Sequence, residues 1–361
     1  MLYYLFYAFH EQIGALNVFR YATFRSALAA LSALVISLAC GPMFIRMLRR
    51  RQIGQEIREE GPASHQAKKG TPTMGGLLIL IAIAVPALAW VHPLNPLAWL
   101  ALAAIILFGL IGFLDDWLKI AKKHNLGLTA KAKFGLQLLV GAGIGGALLA
   151  LTENGLWDTH LQVPFLKTVT PDLGWLYVPF AMLVIVGSAN AVNLTDGLDG
   201  LAIGSTLIAS GTFAILTYCA GNSKVASYLG IANVRGADDL AVLCAAMVGA
   251  SLGFLWFNCH PAEVFMGDVG SMALGGGLGT LAVLVKQELL LAVVGGLFVI
   301  EALSVIFQVA SFKLRRVRIF RMAPIHHHFE LGGWDETKVV IRFWIVALIF
   351  SLLSLATLKL R

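Results

Sequence analysis

Four groups of residues in this chain have the types and spacing to do chemistry. Asp115 and Asp116 are adjacent in GFLDDWLK, Asp268 lies in FMGDVGS, and NAVNLTDGLDGLA (190–202) spaces Asn190, Asn193, Asp196 and Asp199 three apart. His326, His327 and His328 form a run in RMAPIHHHFE. Carboxylates with no cysteine nearby are hard oxygen ligands that suit Mg²⁺ or Mn²⁺ rather than zinc. Mg²⁺ typically takes one or two protein carboxylates and completes its octahedron with water and phosphate oxygens. Adjacent aspartates on a helix point about 100° apart, so one is expected to bind the ion while the other holds a lysine or orients a substrate. Lys68, Lys69, Lys119 and Lys131 offer positive charge for a diphosphate, and GDVGS lets phosphate oxygens approach backbone amides. Consecutive histidines lack zinc-ligand spacing but suit a place beside phosphate.

These residues are set in a chain that is 58% hydrophobic and only 13% charged, against ~25% charged in an ordinary soluble domain. So few charges cannot clothe a water-soluble core, and an all-α integral membrane protein follows, because backbone amides in lipid need partners within their own segment. A span of ~30 Å needs ~20 apolar residues. About ten stretches qualify: 22–45, 73–91, 97–114, 134–151, 175–192, 200–220, 239–257, 271–285, 289–310 and 340–358. The eighth is short, and the fifth and sixth abut NAVNLTDGLDGLA, which leaves nine or eleven as alternatives. MLYYLFYAFHEQ has no basic n-region or cleavage site, so no cleaved leader is expected. Cys40, Cys219, Cys244 and Cys259 lack paired spacing and read as small apolar residues. No linker or low-complexity tract divides the chain, so residues 1–361 are expected to form a single bundle.

Lysine and arginine cluster in alternate loops: Arg46 to Lys69, Lys119 to Lys133, and Lys313 to Arg342. The other loops hold only Lys167, Lys224, Arg235 and Lys286. The positive-inside rule makes the first set cytoplasmic, and an even number of spans puts both termini on the far side. The basic residues are otherwise explained by contact with anionic lipid, and no nucleic-acid partner is expected. In this orientation the aspartate, asparagine and histidine motifs, with Asn258 and Glu263 in NCHPAEVFMGDVGS, all face one compartment at one depth. A single motif is explained by helix capping; all of them together favour a shared site, since ionisable groups at membrane depth are costly. In the ninth span, Glu301, Ser304, Gln308 and Ser311 form a polar stripe that should face the bundle interior. Gln308 lies near the cytoplasmic end, whereas Glu301 is expected to lie deep and to be structural.

KKGTPTMGG, GFLDDWLK, NAVNLTDGLDGLA, FMGDVGS and RMAPIHHHFE, in that order on about ten spans, closely resemble the phospho-N-acetylmuramoyl-pentapeptide transferase family. The resemblance covers essentially the whole chain. It implies transfer from UDP-N-acetylmuramoyl-pentapeptide to undecaprenyl phosphate in the bacterial inner membrane, with release of UMP, a requirement for Mg²⁺ and a homodimeric enzyme. It also implies roles for residues. Asp268 resembles the metal ligand, and Asp115 and Asp116 look like the catalytic pair. Lys68, Gly197, Leu198, Asp199, Asn258 and Phe265 would form the uridine pocket, with Phe265 stacking on uracil. Thr73, Asn190, Asn193 and Asp196 would line the sugar and phosphate region. Lys119 and Lys131 would sit near phosphate, and Gln308, His326, His327 and His328 would border the cavity.

Two rivals remain at this stage. A sibling transferase would take UDP-N-acetylglucosamine, and a transporter for a polar metabolite would also bury polar residues in broken helices. The gathering of acids at one membrane face and the absence of a half-to-half repeat weigh against the transporter.

Overall fold

The computed structural model describes residues 2–51, 70–122, 127–155, 157–164, 166 and 169–359. Lys68, one of the expected uridine-pocket residues, lies outside them. The helices in chain order are α1 (Leu2–Ala8), α2 (Ala22–Arg50), α3 (Gly76–Trp90), α4 (Pro96–Lys122), α5 (Ala130–Glu153), α6 (Tyr177–Thr195) and α7 (Leu201–Gly221). They continue as α8 (Ser223–Leu229), α9 (Ala237–Asn258), α10 (Gly267–Leu284), α11 (Glu288–Val294), α12 (Gly296–Arg315), α13 (Ile325–Glu330) and α14 (Glu336–Ala356). The one β contact among the described residues is an isolated bridge between His160 and Asp172.

Nine of these helices are long and apolar enough to cross a membrane, and the 15-residue apolar α3 brings the set to the expected ten. Their outward faces carry large exposed apolar side chains such as Val35, Leu139, Leu183, Trp256, Phe307, Ile345 and Leu352. Such a surface would drive aggregation in water and is what hydrocarbon requires.

The bundle is assembled through small residues. On α2 the buried positions Ala29, Ala33, Ser37 and Gly41 recur every four residues. They meet α9, where Gly249 lies against Ala30 and Gly253 against Ser37. With no hydrophobic force between helices in lipid, such close backbone approach maximises van der Waals contact. The same logic places α10 at the centre. Gly275 and Gly279 press against Ala189 and Ile185 of α6, while Gly276 and Gly277 receive Phe108 and Ile105 of α4. Every residue from Val269 to Leu284 is buried, so the helix that begins with Asp268 is the most enclosed in the bundle. Gly141 and Gly145 of α5 pack on Met182 and Val178 of α6, which brings α5 alongside.

The ninth span departs from expectation. The apolar run 289–310 is not one rod: α11 ends at Val294, Gly295 breaks it, and α12 restarts at Gly296. Gly296 lies under the Phe350 ring of α14, and a second, smaller apolar cluster joins Leu297 to Leu198, Leu201, Val339, Val340, Phe343 and Ala347. The redirected helix brings Glu301 to His326, whose ring also touches Gly197 in the α6–α7 turn. Glu301 is therefore joined to that turn through a single side chain, His326.

Candidate functional site

Three carboxylates meet where α4 and α10 cross. Asp115, Asp116 and Asp268 each present an oxygen within 4.8 Å of the others. The crossing is tight: a Cβ on Gly112 of α4 would lie 2.1 Å from the Asp268 carbonyl oxygen. Asp268 comes from the opposing helix, and one oxygen of each adjacent aspartate converges with it. The Lys119 ammonium lies among them, 2.6 Å from Asp115 Oδ2, 3.3 Å from Asp116 Oδ1 and 2.9 Å from Asp268 Oδ2.

Each carboxylate is held by a further contact. Asp115 Oδ1 accepts from the Leu128 amide at 2.8 Å, and Asp116 Oδ2 from the Val269 amide at 3.3 Å. Asp268 Oδ1 accepts from Asn193 Nδ2 at 2.8 Å, and Asn193 Nδ2 also lies 2.8 Å from Ser271 Oγ. The Lys133 ammonium is 2.8 Å from Asp268 Oδ2 and 3.8 Å from Asp115 Oδ2. Sequence reading singled out Lys131 instead, but Lys131 is exposed. The signal that separates them was present: Lys133 and Gln137 are four apart on α5, and Gln137 is buried with its amide paired to Asn190. A groove of about 470 Å³, lined by Lys131, Lys133, Phe134, Gln137 and Asn190, opens beside this cluster.

Asp196 ends α6 and Asp199 lies in the turn that follows. Neither caps α7, whose N-cap position is Gly200 with φ 80° and no side-chain cap. Burial pushes the Asp196 carboxyl up to about 8, helped by the negative charges of Asp268, Asp116 and Asp199 and opposed by the Gly267 amide. Asp199 Oδ2 accepts from the Ala262 amide at 3.2 Å and lies 3.1 Å from His260 Nδ1. Asn258 Oδ1 accepts from the Gly200 amide at 3.1 Å, and its Nδ2 donates to the Val264 carbonyl at 2.8 Å. The α6–α7 turn and the α9–α10 loop are thereby tied together, with Leu198 buried beneath them.

The segment before α3 joins the same loop. Phe265 donates its amide to Pro72, and Gly75 and Gly76 donate to Phe265 and Met266, all at 2.8–2.9 Å. Phe265 is partly buried and Thr73 is buried. Two further members have no counterpart in the sequence reading. Glu336 Oε1 accepts from the Asp199 amide at 2.8 Å, and its other oxygen is 3.5 Å from His260. His260 stood inside a motif already singled out, whereas Glu336 opens the last span, with nothing local to mark it.

The histidines diverge. His326 is fully buried against Glu301 and Gly197. His327 Nδ1 is 3.0 Å from Glu330 Oε2, and His328 Nδ1 accepts from the Arg321 amide at 3.1 Å. Gln308 is engaged with the loop beyond α12: its Oε1 accepts from the Ile319 and Phe320 amides and its Nε2 donates to the Phe320 carbonyl, all at 3.0 Å.

Three convergent carboxylates flanked by two ammonium groups make a cluster that could hold a divalent cation, beside a loop rich in backbone donors. The donor set, all oxygen and without cysteine, fits Mg²⁺. Residues 98–286 match the glycosyl transferase family 4, and residues 68–80 match the phospho-N-acetylmuramoyl-pentapeptide-transferase signature 1. The chain is 56% identical to the phospho-N-acetylmuramoyl-pentapeptide-transferase of Koribacter versatilis, 55% to that of Citrifermentans bemidjiense and 54% to that of Desulfotalea psychrophila, each over the full length of both chains.

Proposed function

Since this chain belongs to the phospho-N-acetylmuramoyl-pentapeptide transferase family, we propose that it moves phospho-N-acetylmuramoyl-pentapeptide from its UDP donor to undecaprenyl phosphate, yielding the first lipid-linked peptidoglycan precursor and UMP. The observation that carries this reading is the meeting of Asp115, Asp116 and Asp268 with Lys119 and Lys133. A soluble nucleotide and a lipid headgroup can meet only at a helix-end site of this kind, and the positive-inside pattern puts it on the cytoplasmic face of the bacterial inner membrane. Both termini are then periplasmic. The family resemblance also supports a homodimer as the working unit.

In the reaction a lipid phosphate oxygen attacks the β-phosphorus of the donor, and the bond to the UMP oxygen breaks. Asp268, with the neighbouring aspartates, would hold Mg²⁺, which would supply neutralisation of the diphosphate charge. Lys119 and Lys133 hold the non-bridging phosphate oxygens. The nucleophile has a second pKa near ~6 and is mostly dianionic at neutral pH, so Asp115 and Asp116 position it rather than deprotonate it. Both carboxylates are already engaged by an ammonium and a backbone amide. That favours direct transfer over an aspartyl-phosphate intermediate, and direct transfer requires UMP release to depend on the lipid acceptor. The Asp196–Asp199 turn, Asn258 and Phe265 form the nucleotide pocket, with Phe265 stacking on uracil and Thr73 and Asn190 nearer the sugar.

The deciding assay gives purified protein Mg²⁺, undecaprenyl phosphate and either UDP-N-acetylmuramoyl-pentapeptide or UDP-N-acetylglucosamine, and measures UMP. Release with the first donor alone is expected. Release with the second alone would make this the sibling transferase, and release with neither would overturn the reading.

A further inference from the structure

Glu301 and His326 form a buried polar pair that the mechanism above does not use. Both side chains have zero exposure, His326 Nδ1 lies 3.1 Å from Glu301 Oε1, and among the described residues no other hydrogen-bond partner serves either carboxylate oxygen or either imidazole nitrogen. An ionisable group in such surroundings is tolerated only with a complementary partner, so each of these residues fixes the other. The pair spans three elements. Glu301 belongs to α12, His326 to α13, and the far edge of the His326 ring presses on the α6–α7 turn, where a Cβ on Gly197 would come within 2.3 Å of Nε2. On its other side the ring lies 4.2 Å, centroid to centroid, from that of His327.

Glu301 lies in the second turn of α12 after the break at Gly295, and Leu297, one turn earlier, shares an apolar cluster with Leu198 of the α6–α7 turn. A fully buried His326 does not touch substrate; it acts as a wedge between α12 and the turn that carries Asp196 and Asp199. We propose that Glu301 is a positioning residue for the transfer reaction: by fixing His326 it sets where the α13 histidines stand relative to the α6–α7 turn. This role rests on the proposed transferase activity, and the two are tested separately.

Wild-type enzyme that releases no UMP overturns the activity; wild-type activity with the outcomes below decides the role of Glu301. Glu301→Ala and His326→Ala are each expected to lower kcat about ten- to a hundredfold, as misplacement of a reacting group does, with the donor KM within about threefold. Combined, they should cost no more than the worse single change, because both break the same contact. Gly197→Ala should lower kcat as His326→Ala does, since its methyl group displaces the ring, and should in addition raise the donor KM because Gly197 belongs to the proposed nucleotide pocket. Glu301→Gln keeps the shape and one acceptor and should recover part of the loss, which also covers the case in which the alanine variants fold poorly. A group that serves packing alone would lower the thermal midpoint and leave kcat of the folded enzyme unchanged. Wild-type kcat in Glu301→Ala and Glu301→Gln, or losses that multiply in the double variant, would overturn the proposal.

Discussion

Lys131 and Lys133 lie two positions apart on α5, yet only Lys133 reaches the aspartates, at 2.8 Å from Asp268. Lys133→Ala leaves Asp268 short of a counter-charge and removes a donor for phosphate, and should lower kcat/KM about ten- to a hundredfold. Lys131→Ala should stay within about twofold, as an exposed charge does; equal losses in a UMP-release assay would contradict this geometry. Asp196 carries a pH signature of its own. Its carboxyl is raised from 3.8 to about 8, so the folded protein holds a proton that the unfolded chain gives up. Stability from this group is complete below the ordinary carboxylate range and is lost as pH rises towards 8. The thermal midpoint of metal-free protein should fall across that window, and Asp196→Asn should flatten the slope. The acids and amides of the site stood out in the sequence because ionisable groups at membrane depth are costly and rare. His260 and Glu336 were not, since what marks them is a contact with Asp199 made 61 and 137 residues away.

At the scale of the helix, α10 owes its central place to glycines that let α4 and α6 close on it. Gly112→Ala would set a methyl carbon 2.1 Å from the Asp268 carbonyl oxygen, where the obstacle is backbone and cannot swing aside. A loss of about 1–3 kcal/mol is expected, read as a lower thermal midpoint, together with reduced turnover as Asp268 shifts. Gly143→Ala is the control, because its added carbon meets nothing within 4 Å. Gly141 and Gly143 look alike in GAGIGG, and only the neighbouring helix tells them apart. The same limit hid the break in the ninth span. Hydropathy runs unbroken over 289–310, and the Gly295–Gly296 pair reads equally well as a packing surface or an interruption. Which one it is depends on Phe350, a residue of another helix.

Over the whole molecule, ten apolar helices and their order were readable from composition, because the thickness of the hydrocarbon layer sets their length. What composition does not carry is the arrangement in which distant helix ends close on one another. Topology gives a test at this scale: with an even number of spans and basic loops inside, reporters fused to the first and last residues should both register as periplasmic. A cytoplasmic readout at either end would change the count.

The position of Lys119 among three acids has a consequence for how such a protein holds its fold. A lysine seated there is a resident counterion, so the mutual repulsion of the three acids is quenched without any bound metal ion. Chelation should therefore behave as a reversible off-switch. With EDTA, turnover should stop while the melting temperature moves by no more than a few degrees, and added Mg²⁺ should restore full rate without refolding. Collapse of the fold on chelation would mean that the lysine does not fill that office.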